Sequence, residues 1–382
     1  MSQGTISANL VRLRKVHGLS QEKLAANAGL SRAGYRKIEK GQVIPQANSL
    51  RALATALEVP IRELVSPAPQ LTSVRFRALK RLRRRDQVLY EVGRWLQDLN
   101  ELEALLKDRK QNSLLELRRK IEGARGDMPK VAEIVRGAFK LSKKEPVHDI
   151  CGLLESKGIK IWSVEVASDA FFGLSVGQDD GGPAIVINTW DRLSVEWWIY
   201  SAAHELAHLL LHLDDYVVRE MLEEDVEEKE KEANEFASHF LMPESAFRSE
   251  WDNTRGMSFL DRVMKVKRMF RVSWRTVVYR VAETAQADHR QLLWQRFAQE
   301  FKRRYGRSIS KHDEPDPLSI YSYHDTSGGE PAAMDRLDFR GDRLPRLVRQ
   351  AVEAEQITLG RAAEILAIPL EEMRDLAASW VI

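Results

Sequence analysis

One cysteine, Cys151, stands alone among 382 residues, so no intramolecular disulfide can form and a reducing cytoplasm is the expected setting. No stretch approaches the ~18 uninterrupted apolar residues that a membrane helix needs. The opening Met1–Thr5 has no basic segment running into an apolar one, so a secretory leader is not expected. A large charge imbalance is also missing, the formal net charge being +3. With 43% hydrophobic and 30% charged residues the composition excludes a disordered or fibrous chain. The length allows two or three domains, each with its own core.

What is present reads as a mainly helical α+β chain in five parts. Residues 1–66 form a five-helix domain. Val11, Leu13 and Val16, then Leu24, Ala25 and Ala28, then Ile38, then Leu50, Leu53, Ala54 and Leu57 recur at three- and four-residue spacings. Gly18, Gly29 and Gly41 separate these segments, and Ser20 and Ser31 stand where N-caps belong. Residues 67–130 read as a connector, basic at first (Arg75, Arg77, Lys80, Arg81, Arg83, Arg84, Arg85) and then one long helix with Leu89, Val92, Leu96, Leu99, Leu102 and Leu106 on a single stripe. Residues 131–304 form a mixed domain. Short β-like runs at Ile159–Val164, Phe171–Val176 and Ala184–Ile187 precede an apolar helix over 194–212, and further helices are expected over 258–282 and 288–304. Residues 305–342 read as a linker, and 343–382 as a small helical module suited to packing or dimer formation.

In the first domain, a helix entering the major groove needs polar side chains at its start and apolar ones on its inner face. Ser31, Arg32, Tyr35 and Arg36 meet the first need, Lys37 adds phosphate attraction, and Ile38 meets the second. Gln21 is placed to hold a phosphate or to buttress the recognition helix. The Leu19-Ser20-Gln21 opening, the central Ala28-Gly29 and the Ile38-Glu39-Lys40-Gly41 ending resemble the Cro/C1-type (XRE) helix-turn-helix family over roughly 5–65. That resemblance implies a double-stranded DNA operator, read by a homodimer. Gly34 departs from it, costing ~1 kcal/mol of helix propensity relative to Ala.

In the third part, His204-Glu205-Leu206-Ala207-His208 places two imidazoles four residues apart, on one helix face, where both can reach a tetrahedral Zn²⁺. Glu205 follows the first ligand and can accept a proton from the attacking water without ligating the metal. His212 is excluded as a third ligand, because eight residues from His204 along a helix is about 12 Å and no glycine breaks the helix between His208 and His212. The third ligand is expected on the helix 228–242, where Glu232 lies four residues before the apolar Phe236. Glu235 and His239 are its rivals.

His204–His208 together with Glu232-Ala233-Asn234-Glu235-Phe236-Ala237 and the following Phe240-Leu241-Met242-Pro243 resemble the ImmA/IrrE metallopeptidases over roughly 145–285. The resemblance implies zinc held by His204, His208 and a glutamate matched by Glu232, with Glu205 as general base. It also implies cleavage of a repressor or a related regulatory protein, such as a toxin, in response to a signal. A non-cleaving sensor, or a module that only docks a protein, competes with that reading. For Ala184–Asn188, an edge strand that aligns substrate and a core strand are both open.

Overall fold

The computed structural model describes residues 3–67, 71–75, 85–216, 223–310, 312–315 and 334–380. Of these described residues 64% are helical, with one small mixed sheet among them. The chain divides into two compact units, one of Met1–Leu71 with Arg81–Asp98 and the other of Thr72–Lys80 with Leu99–Ile382. Arg77, Lys80, Arg81, Arg83 and Arg84 of the basic run, and 316–333 of the expected linker, lie outside the described residues.

The first unit holds helices α1 (Gln3–Val16), α2 (Gln21–Asn27), α3 (Arg32–Glu39), α4 (Ala47–Ala56) and α5 (Ile61–Val65). Its core gathers Leu10, Leu13, Leu24, Ala25, Tyr35, Ile38, Leu53, Leu57 and Leu64. Ser20 caps α2 by accepting the Lys23 amide, and Ser31 caps α3 by accepting the Gly34 amide. Gly29, at φ +64°, reverses the chain between α2 and α3, a conformation that costs glycine no Cβ clash.

The expected connector helix is two. α6 (Arg85–Leu105) carries the buried stripe Val92, Leu96, Leu99 and Leu102, then Lys107 enters the left-handed region and α7 (Leu114–Ile121) begins anew. α8 (Met128–Ala138) and α9 (Ile150–Ser156) follow. The strands are β1 (Val74–Arg75), β2 (Lys160–Val164), β3 (Gly173–Val176) and β4 (Ala184–Asn188), in the order β1-β3-β4-β2. β4 is antiparallel to β3 and parallel to β2, so Ala184–Asn188 is an interior strand with both ladders used and every residue buried. Of the two readings left open for this segment, the core strand is the one found, and the edge strand is not. At the β3 edge it is β1, from the chain's own Val74–Arg75, that pairs antiparallel.

α10 (Val195–Leu211) crosses the domain, and all of it is buried except Trp197 and Tyr200, as a helix apolar on every side demands. α11 (Glu223–Leu241) packs beside it, followed by α12 (Glu244–Asn253), α13 (Phe259–Phe270), α14 (Trp274–Glu283) and α15 (Ala287–Tyr305). The single helix expected over 258–282 is broken where Arg271 takes φ +56°. α16 (Arg343–Glu353), α17 (Leu359–Leu366) and α18 (Leu370–Ser379) close the chain. Among the described residues no helix is long and apolar enough to cross a membrane.

Candidate metal centre and nucleic-acid interface

His204 and His208 project from one face of α10 with their Nε2 atoms 3.0 Å apart. The carboxylate that meets them is Glu230, its Oε2 3.3 Å from His204 Nε2 and its Oε1 3.4 Å from His208 Nε2. Among the described residues, His204, His208 and Glu230 form the one group of three or more whose ligand atoms all lie within 4.8 Å. The sequence expectation named Glu232 instead. Glu232 Oε2 lies 2.9 Å from His212 Nε2, on the far side of His208.

The reason lies in the two flanks of α11. Asn234 and Glu230 touch α10, whereas Phe240 packs edge-on against Phe139 just past α8 and Phe236 stacks on Phe240. Glu232, four residues before Phe236, is one-third exposed and reaches His212 at the C-cap of α10 rather than the face that carries His204 and His208. Glu230 falls four before Asn234 and seven before Ala237, on the first. A buried neighbour was the right signal, but it belonged to the wrong side of a helix buried on two. The rivals lie elsewhere. His239 Nε2 is 2.8 Å from Arg280 Nη1, and Glu235, raised by burial and by Glu283, belongs to the same surroundings.

Each histidine has its outer nitrogen occupied. Asn234 Oδ1 lies 3.0 Å from His204 Nδ1 and accepts its proton, while the Tyr200 hydroxyl donates to the Asn234 carbonyl at 3.1 Å. His204 Nε2 therefore presents a lone pair toward the Glu230 carboxylate, and His208 Nε2 faces the same point. Burial drives His208 well below the usual imidazole range, against the pull of Glu230, which keeps the ring neutral. Burial opposes ionisation of Glu230, yet the neighbouring His204 and His208 hold it well below the usual carboxylate range. Two imidazole nitrogens and a carboxylate converging on one point fit the donor set of a cation. The 3.0–3.4 Å separations match the ~3.3 Å that two bonds of about 2.0–2.1 Å span at a tetrahedral angle.

Glu205 points the other way, toward the sheet. Ser175 of β3 donates to its Oε2 at 2.7 Å, and Tyr216 donates to Ser175 Oγ at 2.5 Å. Burial pushes Glu205 up to about 7, against the pull of His204 and the Ser175 bond. Gly173 makes this approach of strand to helix possible, since a Cβ there would meet Ile187 and the Val186 carbonyl at 3.0 Å and Glu205 at 3.3 Å. A cavity of ≈400 Å³ opens beside Glu205 and His204, walled by Phe171, Phe172, Trp197, Tyr200 and Trp294. Arg75, counted in the sequence as part of a basic connector, is half-buried on β1 with Nη2 3.6 Å from Glu230 Oε1. Asn234, Ser175, Tyr216 and Arg75 had no local signal, because each reaches the site through strand pairing or helix packing.

On α3, Arg32, Arg36 and Lys37 are exposed, as a phosphate- or base-contacting face requires. Tyr35 is fully buried in the core, so it supports the helix and is corrected as a DNA-contact residue. Ser31 spends its hydroxyl on the cap, and Gln21 donates to Glu39 at 2.5 Å, which makes it a buttress of α3. A Cβ at position 34 would sit 3.0 Å from that Ser31 hydroxyl, which gives Gly34 a local reason.

Two family descriptions match this chain, Helix-turn-helix over residues 10–64 and IrrE N-terminal-like domain, of the peptidase M78 family, over 155–282. The chain is 37% identical over 65 residues to a protein of Sinorhizobium fredii described as an uncharacterized HTH-type transcriptional regulator, y4dJ, covering 17% of this chain and 84% of that one. The solved apo form of ComR from S. thermophilus aligns with 78% of this chain and 94% of its own at 13% identity, with a TM-score of 0.16 that is too low to bear on the fold.

Proposed function

Because this chain belongs to the HTH-type transcriptional regulators and joins that domain to one of the zinc metallopeptidase family M78, we propose that it is a DNA-binding regulator whose zinc centre cleaves a regulatory protein, a repressor or a toxin. The observation that carries the peptidase half is Glu205, a carboxylate that is not in the ligand set, buried beside His204, with a cavity open to it. His204, His208 and Glu230 would hold the zinc, which would supply Lewis acidity to the scissile carbonyl and acidify water. Glu205, near neutrality and oriented by Ser175, takes the proton of the attacking water and returns it to the leaving amine. The aromatic walls exclude bulk water and seat an apolar side chain of the substrate. Loss of cleavage in Glu205→Gln with zinc retained tests this half.

The DNA half rests on the exposed Arg32, Arg36 and Lys37 of α3, and a homodimer reading an inverted repeat fits the motif. In fluorescence anisotropy with the full chain and its own promoter region, Arg32→Ala and Arg36→Ala are expected to weaken specific binding roughly tenfold each, and a lost phosphate contact lowers the salt slope by about 1. Tyr35→Phe is expected to bind like wild type. Tyr35→Ala opens a core cavity and destabilises the first unit by about 3–5 kcal/mol. Binding insensitive to salt, or none, would sink the DNA reading.

A further inference from the structure

We infer that Glu232 and His212 are positioning residues for the metal centre, acting in series through His208. The inference rests on the zinc reading above. His212 is the C-cap of α10, with φ −122° and ψ 22°, outside helical geometry. Its ring thereby lies against the back of His208, with the two Nδ1 atoms 2.9 Å apart, and its Nε2 lies 2.9 Å from Glu232 Oε2. The His212 side chain is 4% exposed and that of Glu232 34%, so the series runs from a buried ligand to a carboxylate at the surface.

The direction of every proton in this series follows from its last member. A carboxylate only accepts, so His212 carries its proton on Nε2. Its Nδ1 then offers a lone pair, and the proton between the two rings belongs to His208 Nδ1. His208 Nε2, the atom facing His204 and Glu230, is left with a lone pair directed at the metal position. His204 reaches the same state more directly, through Asn234. With Glu232 removed, His212 can turn its own Nδ1–H toward His208, which favours the His208 tautomer whose proton sits on Nε2, where the metal must bind. Outer partners of ligating histidines fix tautomer and ring orientation in this manner, and their loss typically costs 10–100-fold in metal affinity.

The test is a competitive zinc titration of the full-length protein against a chromophoric chelator, after stripping with EDTA. Glu232→Ala is expected to bind zinc 10–100-fold more weakly than wild type. Glu232→Gln should recover part of that loss, because its amide oxygen still accepts from His212 Nε2–H, and His212→Gln should fall between wild type and Glu232→Ala, because its carbonyl can accept from His208. Glu228→Ala removes the same charge from an exposed position of the same helix and should stay within about twofold. Thermal melting of the stripped Glu232→Ala protein should match stripped wild type, since a one-third-exposed side chain contributes little packing. Zinc affinity equal to wild type in Glu232→Ala, an equal loss in Glu228→Ala, or no recovery in Glu232→Gln overturns the inference and leaves the zinc site standing. A wild type that takes up no zinc overturns the zinc reading itself.

Discussion

Alanine at His204, His208 or Glu230 is expected to leave the purified protein with zinc near background, against close to one zinc per chain in wild type. Each change removes one of three ligands from a buried donor set, and the remaining two cannot close a tetrahedral site. The stability consequence is large. Metal bound only by the folded state stabilises it by about 4 kcal/mol when free zinc exceeds its dissociation constant a thousandfold. For a unit of this size that corresponds to roughly 10 °C in melting temperature. Wild type should therefore lose about that much on chelation, and His204→Ala almost nothing, since it has no metal to give up. Elemental analysis beside calorimetry with and without EDTA reads both. Equal zinc in wild type and His204→Ala would end the assignment. Zinc kept by Glu230→Ala and lost by Glu232→Ala would return the third ligand to the residue the sequence first suggested.

Glu205→Gln is expected to separate chemistry from metal binding. The substitution is nearly isosteric, and a glutamine oxygen still accepts from Ser175, so fold, zinc and DNA binding should stay within error of wild type. What disappears is the base, a role worth typically 10²–10⁴-fold. Expressed beside a reporter and a tagged partner repressor, this variant should show neither the shortened partner nor the regulatory response. A wild-type response from Glu205→Gln, with no fragment from any strain, would refute cleavage. It would leave a zinc-stabilised regulator whose second domain senses or docks. His204→Ala distinguishes these outcomes further, because a sensor that needs its metal fails there and survives Glu205→Gln.

His204, His208 and Glu205 are read directly from the chain, whereas Glu230 joins them only through packing. Spacing along a single helix is local information. His204 and His208 share a face because four residues make about one turn, and Glu205 is turned off that face for the same reason. The caps Ser20 and Ser31, the turn at Gly29 and the four apolar runs of the first domain are local in the same sense, since each is satisfied within a few residues. The strands at 160–164, 173–176 and 184–188 were also visible as short β-like runs separated by Gly and Asp.

Which glutamate completes the donor set was decided by the orientation of α11 between α10 and α8, because an amphipathic pattern reports that a face is buried and not what it is buried against. Tyr35 illustrates the same limit, a polar-tipped ring whose position on α3 suits the groove or the core until the neighbouring helices claim it. Strand order is likewise non-local, so only the fold could make Ala184–Asn188 interior and bring Arg75 from β1 to Glu230. Local pattern alone fixes the element types, the helix-turn-helix, the histidine pair and the glutamate between them, all of which depend on contacts within a turn or two. Packing places Glu230 against the histidine pair, Ser175 and Tyr216 behind Glu205, and Glu232 on His212 behind His208. Each of these joins residues far apart in the chain, whose separation is set by how helices and strands pack and by nothing in their own local spacing.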